Sequence, residues 1–248
     1  MRPFPALLLG LVAYAFFLVA NVPASFVAQR ITAQSHGRIA FDGVSGTAWN
    51  GNASLALRLP AATVRLERIT WRWKPSQLAS GRLAYRIDAS DGTLVGQGEV
   101  ARSLGAWHIV QAHASGDASA MQRYVALASA WQPAGIVAVE IPDLAFDGTK
   151  LAGTASAEWR AASLSLSEVR PLGSWRAVLD AQEGPARVVV TTIEGPLRIS
   201  GKGTLADTGT LVFSGEARAD PAQEKAMEPI LKLFGARRAD GAWPIEAR

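Results

Sequence analysis

Ala53-Ser54-Leu55-Ala56-Leu57-Arg58-Leu59 sets an apolar residue at every second position. Successive side chains of a strand point to opposite faces, so the pattern reads as a β-strand with one buried and one wet face. Ala162-Ser163-Leu164-Ser165-Leu166-Ser167 alternates in the same way. Arg82–Ile87, Trp107–Ala112, Arg187–Thr192 and Leu211–Gly215 read as further strands, as does Ile69–Trp73. Ala89-Ser90-Asp91-Gly92 and Ala206-Asp207-Thr208-Gly209 punctuate them at hairpin spacing. From Arg38 onward the chain is expected to be mainly β.

The β-rich region carries an internal repeat. Leu94-Val95-Gly96-Gln97-Gly98 recurs 105 positions later as Ile199-Ser200-Gly201-Lys202-Gly203. Ser45-Gly46-Thr47-Ala48 recurs as Ala152-Gly153-Thr154-Ala155 at an offset of 107. Met121, Tyr124, Val125 and Ala128 map onto Met227, Ile230, Leu231 and Phe234, and Gly135 and Glu140 onto Gly241 and Glu246, all at 106. The four apolar positions of each copy fall at i, i+3, i+4 and i+7, one face of a helix. For the second helix, Asp220 reads as N-cap, Pro221 as N1, Gln223 as N3 and Gly235 as the exit, with a kink at the internal Pro229. The expected architecture is two tandem, similar β-meander halves, residues 38–146 and 147–248, each with one amphipathic helix packed on its sheet. With no linker between them and Ile141–Lys150 reading as a tight connection, the halves are expected to share one continuous curved sheet. The first half carries an insertion around Trp71–Ser76.

Ahead of the repeat lies Phe4–Ala20, FPALLLGLVAYAFFLVA, without a charge. A helix that is apolar all round needs burial on every side or a bilayer. Two membrane readings stand. Met1-Arg2-Pro3 with Val22-Pro23-Ala24 resembles a short n-region and a cleavage site of a signal peptide. The length of the run, extended to residue 22, instead suits a single transmembrane signal-anchor with residues 1–3 cytoplasmic, and this is the expectation adopted. Residues 23–37 then form a juxtamembrane linker.

Composition narrows the function classes. The chain has 248 residues, no Cys and a net charge of +4, which excludes a disulfide framework and thiol chemistry. Its basic residues are scattered singly rather than gathered in a stripe, so no nucleic-acid partner is expected. His108 and His113 are five apart, on opposite faces of a regular strand, and do not converge as ligands unless a bulge intervenes. No Gly-x-Ser-x-Gly elbow occurs, and the glycines at 92, 96 and 98 precede no helix that could hold a phosphate. No catalytic, cofactor or metal site is expected, and the chain reads as a non-enzyme.

Trp71 and Trp73 are two apart and project from one strand face. Core packing, an exposed interaction platform and a lipid-facing surface all accommodate the pair. Its place in the insertion favours the platform, making Trp71 and Trp73 the candidate interaction surface.

The order of these features resembles the type II secretion system protein N family. The motif residues that carry the likeness are Gly46, Thr47, Trp49 and Gly51 of Gly-Thr-x-Trp-x-Gly, then Trp71-x-Trp73-x-Pro75-x-x-Leu78, then Pro171-Leu172-Gly173 before Trp175. Gly195-Pro196-Leu197 and a Leu-rich C-terminal helix complete it. The resemblance implies a non-enzymatic accessory component anchored in the inner membrane, with most of the chain in the periplasm. Its implied partners are other secretion components, the inner-membrane platform and the outer-membrane secretin, with no cofactor. AsmA-like envelope proteins carry related strand-rich repeats, and the alternative they imply is lipid bound or conducted along an apolar concave sheet face.

Overall fold

The computed structural model describes residues 4–59, 62–123, 130–182, 184–206 and 210–247. Two helices lead, α1 (Phe4–Ala20) and α2 (Ala24–Gln34). The first half of the sheet follows: β1 (Ile39–Gly46), β2 (Asn50–Leu59), β3 (Ala62–Trp73), β4 (Leu83–Ser90), β5 (Leu94–Arg102), β6 (Trp107–Asp117) and β7 (Ala134–Phe146). The second comprises β8 (Leu151–Ser163), β9 (Gly173–Asp180), β10 (Ala186–Glu194), β11 (Leu197–Leu205), β12 (Leu211–Ala219), helix α3 (Glu224–Leu231) and β13 (Trp243–Ala247). All thirteen strands join one antiparallel sheet in chain order, the shared sheet that the short connection implies. That connection is shorter than expected, because Ile141–Phe146 belong to β7 and only Asp147–Lys150 turn.

Register divides the sheet into two chemically distinct faces. One row of directly paired residues crosses twelve strands as Ala53, Ile69, Ala89, Gly96, Ala114, Val139, Ala157, Ala177, Val190, Gly201, Gly215 and Ile245. It holds no polar side chain. The adjacent row, on the other face, runs Asn52, Thr70, Asp88, Gln97, His113, Glu140, Ser156, Val178, Val189, Lys202, Ser214 and Glu246, polar except for the two valines. At about 4.8 Å per strand the apolar row extends roughly 50 Å. The repeat is realised in these rows. Gly96 and Gly201 share the apolar one, while Gln97 with Lys202, and Glu140 with Glu246, share the polar one. Gly46 and Gly153 do not correspond, since Gly46 ends β1 and Gly153 lies early in β8.

Among the described residues no second sheet covers the apolar face, yet its side chains are mostly half-buried. Side chains paired across neighbouring ladders crowd one another there. Small residues relieve the crowding. A Cβ on Gly201 would overlap the Phe213 ring, and one on Gly98 would overlap Ala112. The fullest core lies under α3, where Met227, Ile230 and Leu231 pack with Leu172, Leu197, Ala217 and Trp243.

Several local expectations change. Helix α3 begins at Glu224, with Gln223 as an N-cap that makes no side-chain bond, so the Asp220 capping box does not form. The Asp220 N–H instead bonds the Pro196 carbonyl, holding it at the sheet. Pro229 does lie inside α3, and Gly235 ends the 3-10 turn Lys232–Phe234 that follows. The alternating run Ala162–Ser167 is strand only to Ser163. Beyond that Ser165 donates to the Trp131 carbonyl and Leu164 packs on the core, so the chain leaves the ladder. In the first half Ala118–Arg123 form a 3-10 turn; Tyr124, Val125 and Ala128 of the expected helix lie outside the described residues.

Residues 24–34 form a helix where a linker is expected. Helix α2 runs along β1 with Ala24 and Ala28 buried, from the Pro23–Thr47 bridge at one end to Ser35, whose Oγ accepts the Ile39 N–H, at the other. Helix α1 stops at Ala20 rather than Val22 and, at 17 residues, is about 26 Å long against a hydrocarbon core of roughly 30 Å. Among the described residues no helix is long and apolar enough to cross a membrane.

Two measurements check this account. Leu197→Ala, at a site 1% exposed, should cost about 2–5 kcal/mol in chemical denaturation of the detergent-solubilised chain. Leu104→Ala at an exposed loop tip should change stability by less than about 0.5 kcal/mol. At the β7–β8 turn, the Asp147 carboxylate accepts the backbone N–H groups of Lys150 (2.7 Å) and Thr149 (2.8 Å) and the Thr149 hydroxyl, which lower its pKa to about 2. The folded value lies below the ordinary 3.8, so the turn is fully supported above 3.8 and loses that support as pH falls through about 2. The amide shifts of Thr149 and Lys150 should titrate with a midpoint near the lower value.

Candidate functional site

The Gly-Thr-x-Trp-x-Gly residues build the turn between β1 and β2, beside the end of α1. Gly46 has φ +90°, and a Cβ there would overlap the Asn50 carbonyl, so the turn requires glycine. Thr47 Oγ1 accepts the N–H groups of Asn50 (3.2 Å) and Trp49 (3.3 Å), which closes the turn. Trp49 is thereby aimed at the helix, and its indole Nε1 donates to the Val19 carbonyl at 2.8 Å. The Ala48 N–H bonds the Val22 carbonyl, also at 2.8 Å. Two bonds, one from a side chain and one from the backbone, therefore fasten the exit of α1 to the sheet.

Trp71 and Trp73 sit on the apolar face next to this turn. The Trp71 ring lies over Gly51, where a Cβ would overlap it, and its Nε1 donates to the Thr47 carbonyl at 3.2 Å. Trp73 stacks at a tilt on Trp49, with ring centroids 4.8 Å apart, and pairs across the sheet with Tyr85. Burial pushes the Tyr85 hydroxyl pKa up, as expected beside aromatic rings. Both tryptophans are half-buried, and the buried Trp73 Nε1 meets no acceptor among the described residues. Pro75 opens the 3-10 turn Pro75–Ser80 that follows. The structure thus gathers Gly46, Thr47, Trp49, Gly51, Trp71, Trp73 and Pro75 into one cluster at the root of α1.

Pro171 and Gly173 lie elsewhere. They flank the buried Leu172, whose N–H bonds the Ala162 carbonyl and whose own carbonyl takes the Leu197 N–H. Trp175 donates to the Leu197 carbonyl at 3.0 Å and meets Trp159 edge-on at 5.7 Å. This second hub supports the core beneath α3.

Register shows a feature that spacing hides. On the polar face, Asn50, Asn52, Thr70, Arg72 and Asp88 line an open hollow of about 730 Å³ behind the tryptophans. The paired alternation of Asn-x-Asn and Thr-x-Arg is visible in the chain, but only strand pairing makes it a surface. The histidine expectation also changes. Gln111 takes φ +49° and bulges β6, which turns His108 and His113 to the same face. They remain apart, His108 beside Ser103 Oγ and His113 beside Gln97. Among the described residues no group of three or more His, Asp or Glu could hold a metal ion.

Gly51→Val should displace the Trp71 ring from its seat. The expected readout is a red-shifted tryptophan emission and increased protease cleavage between α2 and β2, whereas Gly105→Val, with open space around it, should leave both unchanged.

No curated protein and no solved structure matches the chain. Residues 37–246, from just before β1 into β13, match the family model described as type II secretion system (T2SS), protein N. With the sheet, its Gly-Thr-x-Trp-x-Gly turn and both tryptophan hubs inside that match, the chain belongs to the type II secretion system protein N family, an accessory component of that machine.

Proposed function

We propose that the protein is held in the inner membrane by α1 and presents its sheet to the periplasm, where it serves type II secretion through protein contacts rather than chemistry. The observation that carries this reading is the fastening of α1 to the motif turn through Trp49 and Ala48. It keeps an uncharged helix, its large apolar side chains from Leu9 to Val19 between 50% and 74% exposed, in a set relation to the sheet. Such a surface is at home among lipid chains.

The docking surface is the tryptophan cluster with the polar hollow behind it. The hollow supplies amide, hydroxyl and charged groups suited to a polypeptide. The partner is another secretion component, the inner-membrane platform first and the outer-membrane secretin second. Co-purification from gently solubilised membranes at native expression tests the assignment. The wild-type chain should bring secretion components with it, and Arg72→Glu in the hollow should reduce their recovery several-fold; a chain recovered alone would overturn the reading.

A second reading is favoured by the twelve-strand apolar row, which no layer among the described residues covers along most of its length. Lipid bound along that face would shield it from water and need no hydrogen bond from it.

A further inference from the structure

The apolar face deepens into a trough over β4 to β7. Gly96, Gly98, Ala112 and Ala114 form its floor, and Ile87, Val100, Ile109, Val139 and Ile141 rise around them. The cavity measures about 210 Å³ and its lining is almost wholly apolar. A polypeptide entering in extended form would bring backbone N–H and C=O groups that this lining cannot satisfy. A helix is about 10 Å across, roughly 80 Å² in section, so the cavity would hold less than one turn of it. A hydrocarbon chain has neither difficulty.

One end of the trough is marked by charge. On the same face, Leu83, Arg102, Trp107, Phe146 and Leu151 form a directly paired row two residues beyond Val100 and Ile109. Leu83, Trp107 and Phe146 are exposed, and the Arg102 guanidinium lies over the Trp107 ring at 5.0 Å. In the meander this is the end of the sheet at which the β1–β2 turn holds α1. An arginine and a tryptophan at the mouth of an apolar channel suit the headgroup region of a lipid. From Arg102 to Gly96 the strand advances about 20 Å, enough for a chain that fills half of a roughly 30 Å hydrocarbon core.

We propose that the trough over β4–β7 binds one acyl chain of a membrane phospholipid, with the lipid phosphate at Arg102 and the chain running over Val100 and Ile109 to Gly96 and Ala114. This rests on the lipid reading of the apolar face and gives it a location, a ligand class and an orientation.

The test uses the full chain in nanodiscs of phosphatidylethanolamine and phosphatidylglycerol, doped with phosphatidylglycerol carrying a photoreactive diazirine on its acyl chain. After irradiation, adducts are mapped by peptide mass spectrometry. Adducts are expected on α1 and, separately, on Ile87, Val100, Ile109, Val139 and Ile141. Ala114→Phe, at an exposed position on the trough floor, should lower the trough adducts about tenfold and leave those on α1 unchanged, as loss of one site would. Arg102→Glu, at an exposed position outside the trough floor, should lower them in the same sense by repelling the phosphate, and it keeps the test sound if Ala114→Phe does not fold. Adducts confined to other parts of the apolar face would overturn the trough and leave the lipid reading standing. Adducts on α1 alone would overturn both, whereas trough adducts that neither variant reduces would overturn the assigned site and leave the lipid reading standing.

Discussion

The structure depends on a register held across twelve strands. A slip of one residue at any ladder would send every later side chain to the opposite face. Held as it is, the register keeps one row free of polar side chains from Ala53 to Ile245 and puts Asp88, His113, Glu140, Lys202 and Glu246 in the next. The polar side is reinforced by cross-strand ion pairs, such as Arg176 with Glu158, whose carboxylate pKa is lowered first by the Arg176 hydrogen bond and then by Arg160. In this pair Arg176 is exposed and Glu158 half-buried, and it contributes more to register than to stability. The apolar side is held by crowding, with Trp71 over Gly51 and Phe213 over Gly201.

Bulges adjust this register without breaking it. At Gln111 the β6 strand gains a residue, and β7 carries a matching irregularity between Glu140 and Asp143 on its β8 side. Pairing before and after each bulge keeps apolar with apolar: Ile109 meets Val100 on one side, and Ala114 meets Gly96 on the other. The trough lies on this stretch, with glycines and alanines as its floor.

The two tryptophan hubs divide the remaining tasks. Trp49, Trp71 and Trp73 connect the sheet to α1, whereas Trp159 and Trp175 help to seat the core under α3. Family membership covers both, since the match runs from residue 37 to 246. Hydrogen bonds from Trp49 and Ala48 to the end of α1 fix that helix relative to the sheet.

Much of this was legible in the chain. Period-two alternation identified the strands, because strand geometry itself has that period, and the 105- and 106-residue offsets anticipated positions that share rows in the sheet. Local pattern failed where a tertiary contact overrode it. Ser165 bonds Trp131 instead of continuing β8, Asp220 bonds Pro196 instead of capping α3, and α2 is held on β1 by two buried alanines with little apolar periodicity to announce it. Sequence alone determined a mainly β chain, its internal repeat, an uncharged leading segment and the family motifs, since each depends on neighbours within a few residues or on a fixed offset. Only the tertiary structure decided which face those alternations share, that Trp49 reaches the end of α1, that a bulge turns both histidines one way, and that small residues on two neighbouring strands align into a trough. Those features arise from pairing between residues far apart in the chain, and one misplaced residue in a single ladder would change them all.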